Sequence, residues 1–190
     1  MVTASSIAEA QLADLQEVLD RCRDLLPAIV AAGDEIRTTL RTGGKLLTAG
    51  NGGSAADSLH LAEELVGRYE KERPSLPAIS LCADPTLLTC IANDYGFDNV
   101  FARQVEGLGR VGDVLVVFST SGNSPNLVAA LRTAKVAGLK TIALLGKTGG
   151  QAKGMADHEI IVPSLVTARV QEVHTFVLHV WLARIESDLP

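Results

Sequence analysis

Hydroxyl residues cluster in a loop between a predicted strand and a predicted helix. The strand covers Asp113–Phe118 and the helix starts at Pro125. Four hydroxyls lie between them, those of Ser119, Thr120, Ser121 and Ser124. Free N–H groups at a helix N-terminus attract an anion, and the helix dipole favours negative charge there. The loop has no lysine and so lacks the G-x-x-x-x-G-K-[ST] pattern of a nucleotide P-loop. We therefore predict a site for a single phosphoryl group on a small molecule.

The alternative is that this loop only starts a helix. Ser124 before Pro125 is also an ordinary N-cap, followed by a residue favoured at the first helical position. A cap needs one hydroxyl, whereas this loop has four within six residues. The surplus favours the phosphate site.

A second, glycine-rich loop follows the predicted strand Lys45–Ala49. It reads Gly50-Asn51-Gly52-Gly53-Ser54 and leads into a helix from Ala55. Ligands of open α/β sheets bind outside the carboxyl ends of strands, so two such loops indicate a shared pocket. The glycines could also simply mark a turn.

Two further groups of polar side chains could do chemistry. His60 and Glu64 lie four residues apart, on one face of the helix after the glycine-rich loop. Such a pair could supply a general base or half of a metal site, although it is also a common surface pair. In the last predicted helix, Gln171 and His179 are about 12 Å apart along the axis, so one ligand could touch both only near their side-chain tips. His174 on another side of that helix is better explained as a core or interface histidine, and His158 at a strand edge is a weaker candidate still.

The elements that must position these side chains alternate between short apolar runs and helical patterns. Ile7–Leu40 has helical spacing, interrupted at Pro27 and Gly33, and predicts a helical hairpin or kinked pair. Strands are predicted at Lys45–Ala49, Pro77–Leu81, Asp113–Phe118, Lys140–Leu145 and Glu159–Val162. Helices are predicted at Ala55–Arg68, Pro85–Ile91, Asn99–Leu108, Asn126–Ala137 and Thr167–Glu186. The alternation predicts a parallel sheet covered on both faces, an α/β three-layer sandwich.

Composition and charge exclude several classes of protein. The 190 residues, 47% of them hydrophobic and without a linker or repeat, are expected to form one domain. A net charge of −5 provides no basic surface for nucleic acid, and no apolar run approaches the roughly 20 residues of a membrane span. The chain starts without a secretory signal, and Cys22, Cys82 and Cys90 lack C-x-x-C spacing. We therefore expect a cytoplasmic protein with buried, reduced thiols.

Five ordered motifs, over about residues 40 to 186, resemble those of one enzyme family. They are Gly50–Asp57, His60–Glu64, Ala92–Gly96, Ser119–Ser124, and Arg169–His174 with His179. The family is that of the sedoheptulose 7-phosphate (phosphoheptose) isomerases, which are sugar isomerase (SIS) domains. The resemblance implies a five-stranded, flavodoxin-like parallel sheet in one SIS domain, with residues 1–40 contributing to a homotetramer and residues 41–190 forming the core. It also implies interconversion of sedoheptulose 7-phosphate and D-glycero-D-manno-heptose 7-phosphate, the first step of nucleotide-activated heptose biosynthesis, at active sites built at subunit contacts.

The resemblance also implies roles for individual residues. It assigns phosphate binding to Ser119, Thr120, Ser121 and Ser124. It assigns the rest of the substrate pocket to Asn51, Gly52, Gly53, Ser54, Asn93, Asp94 and Gln171. It assigns acid/base catalysis to Glu64 and His179, and one zinc ion per subunit to His60, Glu64, Gln171 and His179.

The implied reaction suits the catalytic pair better than the zinc site. Moving a carbonyl between C2 and C1 requires removal of a proton, an enediol(ate) and return of the proton, and a carboxylate base with an imidazole fits that task. Glutamine is a poor zinc ligand, so the ion would be held weakly or would polarise the substrate oxygens. Zinc bound to both Glu64 and His179 would leave neither as an unhindered base, and the sequence leaves that conflict open.

One position departs from the family pattern, and two other functions stay open. Many relatives carry an acid just before the arginine that is Arg169 here, but this chain has Ala168, which leaves the orientation of Arg169 open.

The alternative functions are a non-catalytic SIS protein that binds sugar phosphates or a replication initiator, and an isomerase for a related sugar phosphate in secondary metabolism. Glu64 and His179 argue against a binding module, which needs neither a base nor an electrophile.

Overall fold

The computed structural model describes residues 4–187, so the outer ends of the predicted ranges 1–40 and 41–190 lie outside the described residues. The strands are β1 Leu46–Gly50, β2 Ala78–Ser80, β3 Val114–Ser119, β4 Lys140–Gly146 and β5 His158–Val162. The α-helices are α1 Ala4–Arg21, α2 Leu26–Arg41, α3 Gly53–Val66, α4 Pro85–Tyr95, α5 Ala102–Leu108, α6 Pro125–Val136 and α7 Thr167–Glu186. Short 3-10 turns occupy Cys22–Leu25, Phe97–Asn99 and Gly150–Ala152.

The five strands form one parallel sheet in the order β2-β1-β3-β4-β5. One apolar cluster packs α1, α2, α3 and α7 on one face, and a second packs α4, α5 and α6 on the other. The predicted three-layer sandwich with a five-stranded parallel sheet is confirmed. The order reverses between β1 and β3, and in such sheets the crevice at the reversal is where ligands bind.

The N-terminal helical pair is interrupted at one predicted place but not at the other. A 3-10 turn ends at Leu25 and α2 starts at Leu26, so Pro27 lies in the first turn of a new helix, where a proline is tolerated. The predicted break at Gly33 is wrong, because α2 continues through it. A Cβ on Gly33 would lie 2.8 Å from Cδ1 of Trp181, so this glycine is needed for close packing of α2 against α7. The indole N–H of Trp181 donates to the carbonyl oxygen of Ile29 at 2.8 Å in the same contact.

Smaller differences concern helix ends and thiols. The predicted helix from Asn99 is a 3-10 turn followed by α5. The expectation of three buried cysteines is wrong for Cys90, which is exposed on α4, whereas Cys22 is buried and Cys82 is half-buried; all three are free thiols. Within residues 4–187, no helix has both the length and the apolar character to cross a membrane.

Candidate active site

The two predicted loops lie side by side at the carboxyl edge of the sheet. Gly50 at the end of β1 pairs with Phe118 near the end of β3, at the point where the strand order reverses. The glycine-rich loop is short, because Gly53 and Ser54 already belong to α3. The hydroxyl loop ends where α6 starts at Pro125.

A cavity of about 190 Å³ opens between these loops. Its lining residues are Asn51, Ser54, Phe118, Ser119, Thr120, Ser121, Ser124, Thr167 and Gln171. The four predicted phosphate-binding hydroxyls therefore converge on one space, joined by three other predicted site residues. Phe118 and Thr167 were not predicted, because an apolar strand residue and a helix-starting threonine carry no sequence signal for a ligand.

The hydroxyl of Ser124 does not act as a helix cap. Ser124 occupies the N-cap position of α6 with extended backbone, yet its side chain makes no capping hydrogen bond. Two other hydroxyls shape the loop itself: Ser119 Oγ accepts from the N–H of Gly122 and Ser121 Oγ from that of Asn123, both at 3.1 Å. The capping alternative therefore leaves the Ser124 hydroxyl in the cavity wall unexplained.

A partly buried amide pair joins the two loops. Asn51 Nδ2 donates to Asn126 Oδ1 at 3.0 Å, and Asn126 Nδ2 donates to Asn51 Oδ1 at 2.9 Å. Asn126, on α6, is almost fully buried. Asn126 is not among the predicted site residues, although a polar residue directly after Pro125, at the start of an apolar helix, could have indicated one. The reciprocal pair holds the glycine-rich loop against the N-terminus of α6.

Gln171 reaches the cavity because position 53 has no side chain. A Cβ on Gly53 would lie 2.3 Å from Nε2 of Gln171. Any larger residue there would displace the amide from the cavity wall. The N-terminal part of α7 is thus packed directly onto the first turn of α3.

Glu64, His60 and His179 lie near one another where α3 packs against α7. His60 Nε2 is 3.5 Å from Glu64 Oε1, and the rings of His60 and His179 meet edge to face with centroids 5.1 Å apart. The ring of Tyr69 stacks on that of His179 at 5.7 Å, a contact that no sequence pattern indicated. His60 and Glu64 also share a cluster of possible metal-ligand atoms, all within 4.8 Å, with the exposed Glu63.

Asp57 is a buried carboxylate between the cavity and this cluster. Its Oδ1 accepts a hydrogen bond from Thr175 Oγ1 of α7 at 2.9 Å, and its Oδ2 has no hydrogen-bond partner in the described part of the chain. Burial raises the pKa of Asp57, while the bond from Thr175 and the nearby His60 act in the opposite direction. Asp57 therefore ties α3 to α7 one turn before His60.

Asn93 and Asp94 do not line the cavity of their own chain. Both are exposed in the last turns of α4, where Asn93 Nδ2 donates to Asp94 Oδ1 at 2.7 Å. Gly52 and Gly53 are also absent from the lining, and the sugar-binding roles of these four residues stay predictions.

Arg169 is held without the acid that precedes it in many relatives. Its Nη1 donates to the carbonyl oxygen of Gln11 at 2.6 Å and its Nη2 to Glu172 Oε1 at 2.7 Å, while Ala168 is exposed. The guanidinium is buried and points to α1, which settles the orientation that the sequence left open.

His174 is a core residue beneath the hydroxyl loop. Its Nε2–H donates to the carbonyl oxygen of Leu145 at 3.3 Å, and its ring lies 6.0 Å from that of Phe118. Burial lowers the pKa of His174 to about 4, although the bond to Leu145 partly offsets this. The imidazole is therefore neutral near pH 7, as a core histidine is.

This burial makes stability depend on pH. Between about pH 6.5 and 4 the unfolded chain binds a proton at His174 that the folded chain does not. The free energy of unfolding should therefore fall as pH falls through that range, and this group should account for ~3 kcal/mol of the loss. Urea unfolding at several pH values should show this loss in the native protein and a smaller one in His174→Gln. Equal slopes for both proteins would contradict the neutral, buried assignment.

Comparisons with known proteins identify relatives by sequence and by fold. The SIS domain family matches residues 12–146. The phosphoheptose isomerase of a Geobacter species is 48% identical to this chain over 182 residues, which cover 95% of each chain. The phosphoheptose isomerase of a Nitratiruptor species is 55% identical over 144 residues, which cover 76% of this chain and 77% of the other. Among solved structures, phosphoheptose isomerase from Neisseria gonorrhoeae is 40% identical and superposes with a TM-score of 0.92, covering 97% of this chain and 100% of the other. The one from Francisella tularensis is 35% identical with a TM-score of 0.94, covering 98% and 100%. By sequence and by fold, the chain belongs to the phosphoheptose isomerase family of SIS domain proteins.

Proposed function

We propose that this protein is the isomerase that converts sedoheptulose 7-phosphate to D-glycero-D-manno-heptose 7-phosphate, the first step of nucleotide-activated heptose biosynthesis. One observation supports this most directly: the same two helices carry residues of the cavity and the two proposed catalytic residues. Helix α3 carries Ser54 of the cavity and Glu64, and α7 carries Gln171 of the cavity and His179. A sugar anchored by its phosphate in the cavity would extend along these helices to a base and an imidazole.

The hydroxyl loop is proposed to bind the 7-phosphate. Its four hydroxyls line the cavity, and α6 directs its N-terminus at the same end of the sheet. Hydroxyl donors and a helix N-terminus suit a phosphate without a lysine. The phosphate thus serves as a handle far from the reacting carbons.

Glu64 and His179 are proposed to move the protons. Glu64 takes a proton from C1 of the ketose, the C–H electron pair forms the C1=C2 bond, and the C2 oxygen takes a proton from His179. The enediol then gives its O1 proton to His179 and receives the proton of Glu64 at C2, so that C1 becomes the aldehyde. Both residues end in their starting states, as a catalytic cycle requires.

Zinc is proposed as a cofactor of the same cluster. His60 and Glu64 belong to a group of possible ligand atoms within 4.8 Å of one another, and the ring of His179 lies against that of His60. These two imidazoles and one carboxylate are ligand types that zinc binds, and the Gln171 amide would be a weaker fourth ligand. Bound there, zinc would polarise the substrate oxygens. Because a zinc ion would use the same Glu64 and His179 that are proposed to move protons, the zinc site and the proton-transfer roles are separate proposals with separate tests. Metal analysis of the purified enzyme and of His60→Gln tests the assignment, because loss of this ligand should lower the zinc content.

We further propose that residues 1–190 act as one domain in a homotetramer. Leu19, Leu26 and Phe176 are apolar side chains that line a surface groove of about 280 Å³, and each is more than a third exposed. Phe176 lies one turn from His179 on α7, so an interface on this groove would adjoin the site. The exposed Asn93 and Asp94 are then proposed to complete the pocket of a neighbouring subunit. Free thiols at all three cysteines support a cytoplasmic location.

The tetramer can be tested at this groove. Leu19→Glu with Leu26→Glu should give a smaller particle by light scattering, with lower activity, because two buried charges would oppose association. Val136→Glu, at a side chain 91% exposed on α6, is the matched control and should stay tetrameric. A native protein that is a stable monomer with full activity would contradict the proposal.

A direct assay separates the proposed function from its alternatives. The purified protein should convert sedoheptulose 7-phosphate to the aldose, with exchange of the C1 proton for solvent deuterium followed by NMR. Turnover of another ketose phosphate in its place would identify the related isomerase. Binding without turnover of any sugar phosphate would identify the non-catalytic SIS protein.

A further inference from the structure

A buried ion pair connects the segment after α3 to the end of α7. Arg73 Nε donates to Glu186 Oε1 at 2.8 Å, and their side chains are 0% and 3% exposed. Buried charges lose their hydration, so such a pair persists only where further hydrogen bonds satisfy its remaining atoms. The described residues provide these bonds at both ends of the pair.

At one end, Arg73 caps the helix that carries the proposed base. Its Nη2 donates to the carbonyl oxygen of Glu64 at 2.7 Å and its Nη1 to that of Leu65 at 2.9 Å, with a longer contact to Gly67 at 3.5 Å. The last carbonyls of a helix have no partner within the helix, and a cation there also interacts well with the helix dipole. The guanidinium therefore holds the backbone of Glu64 itself.

At the other end, Glu186 binds the backbone of the loop that follows α3. Its carboxylate accepts from the backbone N–H groups of Tyr69 at 3.1 Å, Glu70 at 3.0 Å and Lys71 at 2.9 Å. Burial raises the pKa of Glu186, but these three bonds and that from Arg73 outweigh it and lower the pKa to about 2. The carboxylate is thus charged near pH 7.

These contacts connect three parts of the proposed catalytic cluster. Glu64 is held through its carbonyl oxygen, and the Tyr69 ring that stacks on His179 is held through its N–H. His179 itself lies seven residues, two helical turns, before Glu186 on the same helix. One ion pair therefore joins the backbone of the base, the partner ring of the imidazole and the helix that carries the imidazole.

We propose that Arg73 and Glu186 are positioning residues of the isomerisation, which set the separation between Glu64 and His179. The inference rests on the roles proposed above for these two residues. Neither member of the pair lines the phosphate cavity. Loss of the pair should therefore disturb proton transfer and leave phosphate binding intact, since a displacement of about 1 Å can cost ~10²-fold in rate.

The test makes the same chemical change, from a carboxylate to an uncharged amide, at two buried acidic residues. Glu186→Gln removes the charge in the cluster. Asp113→Asn is the matched control, because Asp113 directly before β3 also accepts from two backbone N–H groups, those of Lys45 at 2.9 Å and Arg110 at 2.8 Å. It also pairs with the Lys45 ammonium, at the opposite end of the sheet from the site. Arg73→Lys is a second, milder variant, since an ammonium keeps the charge but cannot reach Glu186 and two helix carbonyls together.

We expect Glu186→Gln and Arg73→Lys to lower kcat on the order of 10²-fold with KM and the Kd for inorganic phosphate nearly unchanged. Asp113→Asn should lower the urea midpoint and leave kcat near the native value. Circular dichroism and light scattering establish that each variant is folded and has the native assembly. If Glu186→Gln does not fold, Arg73→Lys alone decides.

Two results would overturn the inference. One is a kcat for the folded cluster variants no lower than that of Asp113→Asn; the other is a loss that appears in KM rather than kcat. Failure of the underlying proposals looks different. Without the proposed function, the native protein itself would not turn over sedoheptulose 7-phosphate; without the proposed role of Glu64, Glu64→Gln would stay active. An inactive Glu64→Gln beside fully active Arg73→Lys and Glu186→Gln would reject only the positioning role.

Discussion

Replacing Glu64 with glutamine should lower kcat by about 10²–10⁴-fold, the usual contribution of a positioned general base. Glutamine keeps the shape of the side chain and removes the charge that accepts the C1 proton. The phosphate cavity is lined by other residues, so affinity for the substrate should change little. Steady-state kinetics with sedoheptulose 7-phosphate measures both effects, and exchange of the C1 proton with deuterium should disappear with turnover.

The neighbouring carboxylate provides a control for this result. Glu63 is exposed and lies in the same cluster of possible metal-ligand atoms, so Glu63→Gln makes the same chemical change one residue away. It should retain native kcat. Zinc content is measured in both variants, because a loss of metal in Glu64→Gln alone would assign the effect to a ligand rather than to a base. Turnover of Glu64→Gln within about tenfold of the native enzyme would show that Glu64 is not the base.

Removing the phosphate from the substrate should produce a loss of similar size. We expect kcat/KM for free sedoheptulose to be lower on the order of 10²–10⁴-fold, because even two lost hydrogen bonds to a charged group are worth ~3–6 kcal/mol. Comparable turnover of the two sugars would contradict the phosphate site. The comparison needs only the native enzyme, so it is independent of any folding defect.

Variants of the hydroxyl loop connect this loss to particular side chains. Ser121→Ala and Ser124→Ala should each raise KM for the phosphorylated sugar about tenfold or more. Ser124→Ala is the cleaner of the two, since its hydroxyl makes no capping bond, whereas that of Ser121 accepts from the N–H of Asn123. Neither variant should alter the slow turnover of free sedoheptulose. An equal loss with both sugars would indicate a damaged loop instead of a lost phosphate contact.

Local sequence patterns were enough to predict most of the fold. Strand and helix periodicity, with glycine and proline at the breaks, predicted the order of elements and the parallel sheet, because these signals depend on residues near one another in the chain. The two loops after β1 and β3 could be predicted for the same reason. His60 and Glu64 also needed only helical spacing to be placed on one face.

Packing between distant segments decided the rest. The sequence by itself determined that hydroxyls follow β3, that glycines follow β1 and that Glu64 and His60 share a face. Only the tertiary structure brought Gln171 against Gly53 and the ring of His179 beside that of His60, because both contacts depend on how α7 crosses α3. The same holds for the Asn51–Asn126 amides and the Arg73–Glu186 ion pair, whose members are 75 and 113 residues apart. A polar residue shows in the sequence what it can bond to, but which partner it meets is decided by the packing of helices and sheet around it.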